Sequence, residues 1–184
     1  DESVRQAIRE LKSRGLEVTL YPFVFMDCPG YPWRGRVAGT DGAGAAAEIA
    51  ALFGGPEDWG LRRMALHYAG IAAEEGADGL LIGSEMRGVT WTRDAAGGFP
   101  AVEQFRTLAA ECRAVVGPGV KLSYAADWSE YFGYQPADGS GDVFFNLDPL
   151  WASPDIDAIG IDNYMPLSDW RDEDAANGNP DGMS

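Results

Sequence analysis

Residues 79–86 have the sequence GLLIGSEM, a short apolar run bounded by glycines that ends in the carboxylate of Glu85. Continuous apolar runs of this length are typical of strands buried on both faces, as in a parallel sheet. A glutamate at the carboxyl end of such a strand lies where α/β barrels place their chemistry. The stretch therefore predicts a parallel α/β fold, with Glu85 as a candidate functional residue.

Helical and strand patterns alternate on both sides of this run. Apolar periodicity predicts helices over about 3–14, 57–75 and 100–116, and apolar runs predict further strands over about 18–26, 121–126 and 158–161. Such alternation implies parallel pairing with crossover connections. Pro22 is an objection to the strand 18–26, because proline removes a donor from the ladder.

The strand ends decide between two parallel folds. No strand is followed by a glycine-rich phosphate loop, so a nucleotide-binding Rossmann fold is disfavoured.

The 184 residues suit one domain. Since a full barrel needs roughly 250 residues, four strands amount to half of one. We predict an α/β, (β/α)8 TIM-barrel-like fold, present as a partial barrel over 1–184, with an insertion loop at about 28–56. The start at Asp1, in a helix without a preceding strand, is expected of a piece of a longer protein.

Composition narrows the classes of partner. The net charge of −15 argues against a nucleic acid or an anionic membrane surface as a partner. No apolar run approaches the roughly 18 residues of a membrane span. Cys28 and Cys112 form no CxxC pair, and His67 is the only histidine, so neither a His-rich metal centre nor a Ser-His-Asp triad is predicted. We expect no metal and no cofactor.

Four acids are predicted at or just past strand ends: Asp27, Glu85, Asp127 and Asp162. Aromatic residues lie close by in sequence, namely Tyr31, Trp33, Trp128, Tyr131, Tyr164 and Trp170. Sugar hydrolysis requires one carboxyl to protonate the leaving oxygen and a second to act at the anomeric carbon. The alternative is that the acids cap the following helices and the aromatic residues fill the barrel mouth. For Glu85 the site role is favoured, because glutamate is a poor N-cap.

Two motifs resemble retaining TIM-barrel glycosidases. Residues 81–85, LIGSE, resemble the end of the fourth strand, which carries the acid/base glutamate. Residues 159–164, IGIDNY, resemble the sixth strand, whose tyrosine commonly contacts the nucleophile. The resemblance implies that Glu85 is the general acid/base, that Tyr164 orients the nucleophile, and that this nucleophile is a glutamate of the seventh strand, beyond Ser184. Ser84 replaces the usual asparagine, which touches the sugar 2-hydroxyl.

Nearly the whole chain also resembles the TIM-barrel-like domain of the large tail proteins of gene transfer agents and related prophages. The motifs are YPFVFMD at 21–27 and SYAADW at 123–128, and the likeness covers the third to sixth strands. It implies a phage-like particle tail, assembled in the bacterial cytoplasm and acting on a glycan of the host surface or wall. Its partners would be that glycan and other tail proteins. The implied substrate-binding residues are Asp27, Trp33, Ser84, Tyr124, Asp127, Trp128, Asp162 and Asn163.

A rival hypothesis is a non-catalytic module that binds glycan or builds the tail baseplate, since a fold alone does not establish a function. A glutamate at the end of the next strand of the parent protein would favour the enzyme. A metal-dependent barrel hydrolase would need histidine ligands that the sequence lacks.

Overall fold

The computed structural model describes residues 1–164 and Glu173. In this part of the chain four parallel strands form one sheet, in which spatial order follows chain order. The strands are β1 Thr19–Leu20, β2 Gly79–Ser84, β3 Lys121–Asp127 and β4 Gly160–Asp162. The parallel α/β sheet predicted from the alternating patterns is confirmed.

Helices fill the connections between these strands. They are α1 Glu2–Ser13, α2 Ala45–Phe53, α3 Leu61–Glu75, α4 Arg87–Thr90, α5 Pro100–Val116 and α6 Asp148–Trp151, with 3-10 turns at Arg34–Arg36 and Trp128–Glu130. α3 and α5 pack against each other and against β2. The rings of Phe53 and Phe105 meet edge to face at 4.9 Å, and both are fully buried. Among the described residues, no helix is both long and apolar enough to cross a membrane.

α5 shows why these helices could be predicted. It begins at Pro100, whose fixed φ suits the first helical position, and it ends before Gly117, which has φ +69. Val102, Phe105 and Cys112 share its buried face, at the spacing of an amphipathic helix.

The first predicted strand is much shorter than its apolar run. Only Thr19–Leu20 pairs with β2, and residues 21–27 form no strand. Pro22 is the physical reason in the sequence, because it has no N–H to donate. Asp27 therefore lies well past the end of β1 and is exposed. The insertion at 28–56 is not all loop, since it contains α2, and α3 begins at Leu61 rather than at 57.

A bulge lies at the end of β2. Leu81 pairs with Ser123 and Ser84 with Ala125, so β2 carries one residue more than β3 over this interval. Gly83 lies inside the bulge, and a Cβ there would come within 2.7 Å of Cε1 of Phe105. Glu85 follows with φ +47, the one non-glycine residue with positive φ in the described chain. The bulge and the left-handed residue together set the direction of the Glu85 side chain.

Candidate active site

A cleft of about 560 Å³ lies beyond the carboxyl ends of the strands. Its walls carry seven aromatic side chains: Tyr21, Phe23, Phe25, Tyr31, Trp33, Trp128 and Tyr164. Its charged lining residues are Arg34, Glu85, Asp127 and Asp162. Aromatic faces suit the apolar face of a sugar ring, and the carboxyl groups suit acid–base chemistry.

Glu85 is one of two buried acids in the cleft, with Asp127. It is 6% exposed, and its backbone N–H donates to the carbonyl oxygen of Ala125 at 2.7 Å. Its Oε2 accepts a hydrogen bond from Nε1 of Trp33 at 2.7 Å and lies 3.1 Å from Nη2 of Arg34. Both partners come from the segment 28–56, so this insertion forms part of the site.

Arg34 joins three groups at the base of the cleft. Its Nε donates to the carbonyl oxygen of Ser84 at 2.8 Å and to its Oγ at 3.0 Å. Its Nη2 reaches Oε2 of Glu85 and lies 3.9 Å from Oδ2 of Asp162. The guanidinium also lies 4.6 Å from the centre of the Phe23 ring, an arrangement favoured by the ring quadrupole. Arg34 is thus a buried cation between two carboxyl groups.

Tyr21 and Asp162 complete this cluster. The Tyr21 hydroxyl donates to Oδ2 of Asp162 and lies 2.5 Å from Oγ of Ser84. Burial, and then the hydrogen bond to Asp162, raise the pKa of Tyr21 to about 12. Tyr21 therefore remains a protonated donor across the ordinary pH range.

The surroundings favour the protonated form of Glu85. Burial is the largest influence and raises the pKa of Glu85. The hydrogen bond from Trp33 and the charge of Arg34 lower this pKa, whereas a hydrogen bond with Asp162 and the charge of Asp162 raise it. The net direction is upward, which suits a group that must deliver a proton near neutral pH.

Asp127 lines the cleft and also caps a helix. Its Oδ1 accepts from the backbone N–H of Ser129 at 3.0 Å, while Oε2 of Glu130 accepts from the backbone N–H of Asp127 at 2.8 Å. This is a reciprocal capping box at the 3-10 turn Trp128–Glu130. The capping alternative that the sequence left open for Asp127 is present in the structure, alongside its place in the cleft wall.

Arg87, the first residue of α4, contacts both Trp33 on one side of the cleft and Ser129 on the other. Its guanidinium lies 4.9 Å from the ring centres of both Trp33 and Trp91. Its Nη1 donates to Oγ of Ser129 at 2.8 Å. Arg87 therefore packs against the indole that serves Glu85 and holds the turn that follows Asp127.

Glu130 is a buried acid that sequence reasoning missed. It accepts from the hydroxyl groups of Thr90 at 2.6 Å and Tyr124 at 3.2 Å. Burial raises the pKa of Glu130 to about 7 against these hydrogen bonds. The DWSE pattern at 127–130 is a capping-box signature that could have identified it.

The other predicted residues fall in several places. Tyr124 is fully buried, and its hydroxyl accepts from the backbone N–H of Met86 at 2.8 Å, so it supports the site from inside. Ser84 is buried under Arg34, while Trp128 and Tyr164 line the cleft. Asn163 is exposed. Asp27 is exposed and is not among the lining residues of the cleft, and Trp170 lies outside the described residues.

Sequence reasoning also gave no role of its own to Arg34 or Tyr21. Arg34 lies in a segment without a helical or strand pattern, and nothing local to it points to Glu85. Within the described residues, no group of His, Cys, Asp and Glu side chains is arranged to hold a metal ion.

The parallel barrel segment and its acidic, aromatic cleft define a glycoside hydrolase-like domain. The chain belongs to the GTA TIM-barrel-like domain family, whose family model matches residues 59–184. The model of Glycoside Hydrolase Family 113 matches residues 1–116 and places that part of the chain in this family as well. None of the curated proteins matches the chain.

Solved β-mannanases of Glycoside Hydrolase Family 113 share the fold. AaManA from Alicyclobacillus acidocaldarius, solved in complex with ManMIm, has a TM-score of 0.59 and 18% identity over 96% of this chain and 46% of its own. A complex of a β-1,4-mannanase has a TM-score of 0.60 and 22% identity over the same shares. A further β-1,4-mannanase has a TM-score of 0.58 and 21% identity, over 100% of this chain and 49% of its own. The chain spans about half the length of these enzymes, which confirms the partial barrel.

Proposed function

We propose that the full-length protein containing this chain is a retaining glycoside hydrolase in which Glu85 is the general acid/base. The observation that carries the proposal is the setting of Glu85. It is 6% exposed at the end of β2, its pKa is raised, and it faces an aromatic cleft beyond the carboxyl ends of parallel strands.

The chemistry needs two carboxyl groups. Glu85 would give its proton to the glycosidic oxygen while a second carboxylate, roughly 5–5.5 Å away, attacks the anomeric carbon. Glu85 would then take a proton from the water that releases the sugar. We place the second carboxylate on the strand that follows β4 in the full-length protein, with Tyr164 orienting it. Trp33, Asp127 and Trp128 would contact the bound sugar.

The substrate we propose is a glycan of a bacterial surface or cell wall, met by the protein as part of a phage-like tail. The family description, a GTA TIM-barrel-like domain, supports the tail setting. The mannanase neighbours add β-1,4-mannan as a test substrate. Detection of the full-length protein in purified tail particles, and its absence from tail-less preparations, would test the setting.

The enzymatic role is tested by Glu85→Gln in the full-length protein. The amide keeps the shape but carries no transferable proton, so hydrolysis of natural glycans should fall by about 10²–10⁴-fold. The first step with an activated aryl leaving group, which needs little protonation, should survive. Glu103→Gln, at an exposed position of α5, is the matched control and should retain wild-type rates. Unchanged glycan hydrolysis in Glu85→Gln would refute the proposal.

A second candidate function is a glycan-binding module without turnover. It is favoured by Arg34, whose Nη2 lies 3.1 Å from Oε2 of Glu85. This positive charge favours the ionised carboxylate, which has no proton to give to a leaving group. Glycan binding without hydrolysis by the wild-type protein, with equal affinity in Glu85→Gln, would support this function.

A further inference from the structure

We propose that Asp162 is a positioning residue that keeps the proton on Glu85, with Tyr21 fixing Asp162 in place and Arg34 acting against it. The inference deepens the proposed function and rests on it, because it concerns the acid that would serve the leaving group. Sequence reasoning placed Asp162 in the sugar site and gave it no such role.

The carboxyl groups of Glu85 and Asp162 both lie near one nitrogen atom of Arg34. Nη2 of Arg34 lies 3.1 Å from Oε2 of Glu85 and 3.9 Å from Oδ2 of Asp162. The side chains of Glu85 and Asp162 are 8% and 19% exposed, so water screens their interaction poorly. The negative charge of Asp162 raises the pKa of Glu85, next to the larger effect of burial.

The two carboxyl groups differ in their hydrogen bonds and in their burial. Oδ2 of Asp162 already accepts from the Tyr21 hydroxyl, and Oγ of Ser84 lies 3.5 Å from the same oxygen. Glu85 is the more buried of the two groups, and burial favours the neutral form of a carboxyl.

Two neighbours act in the opposite direction. Trp33 donates to Oε2 of Glu85, and Arg34 places a positive charge beside it. Both favour the ionised acid, so without the negative charge of Asp162 the balance would move toward the carboxylate. The other charged and titratable groups of the described cleft are Asp127, with Arg87 4.0 Å from its Oδ1, and the phenols of Tyr31 and Tyr164.

This arrangement serves both halves of the reaction. When the glycosidic C–O bond breaks, its electron pair goes to the leaving oxygen and the proton of Glu85 moves to that oxygen. Glu85 is then a carboxylate, which Arg34 stabilises at 3.1 Å. In the second half, the oxygen of water bonds to the anomeric carbon, the second carboxylate leaves, and the proton of that water returns to Glu85.

Trp33 provides a readout of this proton that does not depend on catalysis. Its Nε1 donates directly to Glu85, so its fluorescence should follow the ionisation of that group. The signal is obtained in the full-length protein as the pH titration of each variant minus the same titration in the Trp33→Phe background. Asp162→Asn keeps an oxygen that can accept from Tyr21 but removes the negative charge.

The midpoint of the Trp33 titration should move to lower pH in Asp162→Asn and to higher pH in Arg34→Gln. Asp142→Asn, which removes one negative charge at an exposed position, should leave it in place. Asp162→Ser, neutral and smaller, is measured should Asp162→Asn fail to fold, and the same shift to lower pH is expected. An unchanged or higher midpoint in the neutral variants would overturn the proposal. A shift in a protein that hydrolyses no glycan would refute the proposed function and leave this inference standing.

Discussion

The indole Nε1 of Trp33 donates a 2.7 Å hydrogen bond to Oε2 of Glu85 across 52 positions of sequence. A donor of this kind favours the charged carboxylate, and it lowers the pKa of Glu85 against the larger effect of burial. The contact therefore adjusts the acid as well as holding it in place.

Trp33→Phe should extend glycan hydrolysis by the full-length protein to higher pH. The substitution keeps an aromatic ring and removes the donor, so the pKa of Glu85 rises further. A general acid works below its pKa, and its activity is lost as pH rises through that value. The measurement is the pH profile of kcat/KM. Trp59→Phe, at a side chain that is 89% exposed, is the control, and movement of the alkaline limb to lower pH would contradict the prediction.

Glu85→Gly should be more stable than Glu85→Ala by about 1 kcal/mol. Glu85 has φ +47, and this left-handed region costs a residue with a Cβ roughly 1–2 kcal/mol while glycine adopts it freely. Free energies of unfolding in urea provide the comparison. In the exposed middle of α5, alanine should instead be the more stabilising residue, so Ala110→Gly should lower the free energy of unfolding by about 1 kcal/mol. Equal stability of the two Glu85 variants would show that this backbone is unstrained.

Gly83→Ala should destabilise the protein by about 1–3 kcal/mol, the range for overpacking a buried site. The added Cβ would lie 2.7 Å from Cε1 of Phe105, a ring that is itself fully buried. Gly70→Ala is the matched control, because beyond its chain neighbours and the backbone of α3 no atom lies within 4 Å of its added Cβ. The free energy of unfolding of that variant should be higher than that of the wild type by about 0.5–1 kcal/mol. A Gly83→Ala protein of wild-type stability would show that Phe105 moves aside.

Glu130 should make the stability of the folded protein depend on pH. Its pKa is raised to about 7 from an unfolded value near 4.5, so the native state binds the extra proton in that interval. The stability it contributes is fully present below about pH 4.5 and is lost as pH rises through about 7, by on the order of 3 kcal/mol. Urea unfolding at pH 5, 6.5 and 8 should show this decline.

Glu130→Gln should flatten that dependence, because the amide does not titrate. Its NH₂ group replaces one oxygen that accepts from Thr90 or from Asp127, so the variant should lose about 1–3 kcal/mol at pH 5. Glu103→Gln, at an exposed position of α5, should retain the wild-type curve. An equally steep decline in Glu130→Gln would assign the pH dependence to other groups.

The sheet and the position of Glu85 at its edge were predictable because their signals are local. The run at 79–86 carries both the strand and the acid that ends it, and α5 carries its own start and stop in Pro100 and Gly117. The prediction of a strand over 18–26 was wrong beyond Leu20, because apolar composition does not determine whether a segment pairs with a neighbouring strand. Only Thr19–Leu20 pairs with β2, and the segment beyond them supplies aromatic side chains to the cleft.

The partners of Glu85 were not predictable in the same way. Trp33 was predicted near a sugar, but its hydrogen bond to Glu85 depends on how the segment 28–56 folds back over β2. Arg34 has no periodic pattern around it, so its ion pair appears only in three dimensions. Glu130 did have a local signal, since the capping box that joins it to Asp127 can be recognised from four consecutive residues.

Trp33 and Arg34 are adjacent in sequence, and both reach the same oxygen of Glu85. One hydrogen-bond donor and one cation thus arrive together on a single short turn, while the acid belongs to the sheet. The two groups that act on the pKa of Glu85 are therefore carried by the same short segment as one wall of the cleft. Substitutions in this one turn can therefore alter the acidity of Glu85 and the shape of its cleft together, without any change in the strands.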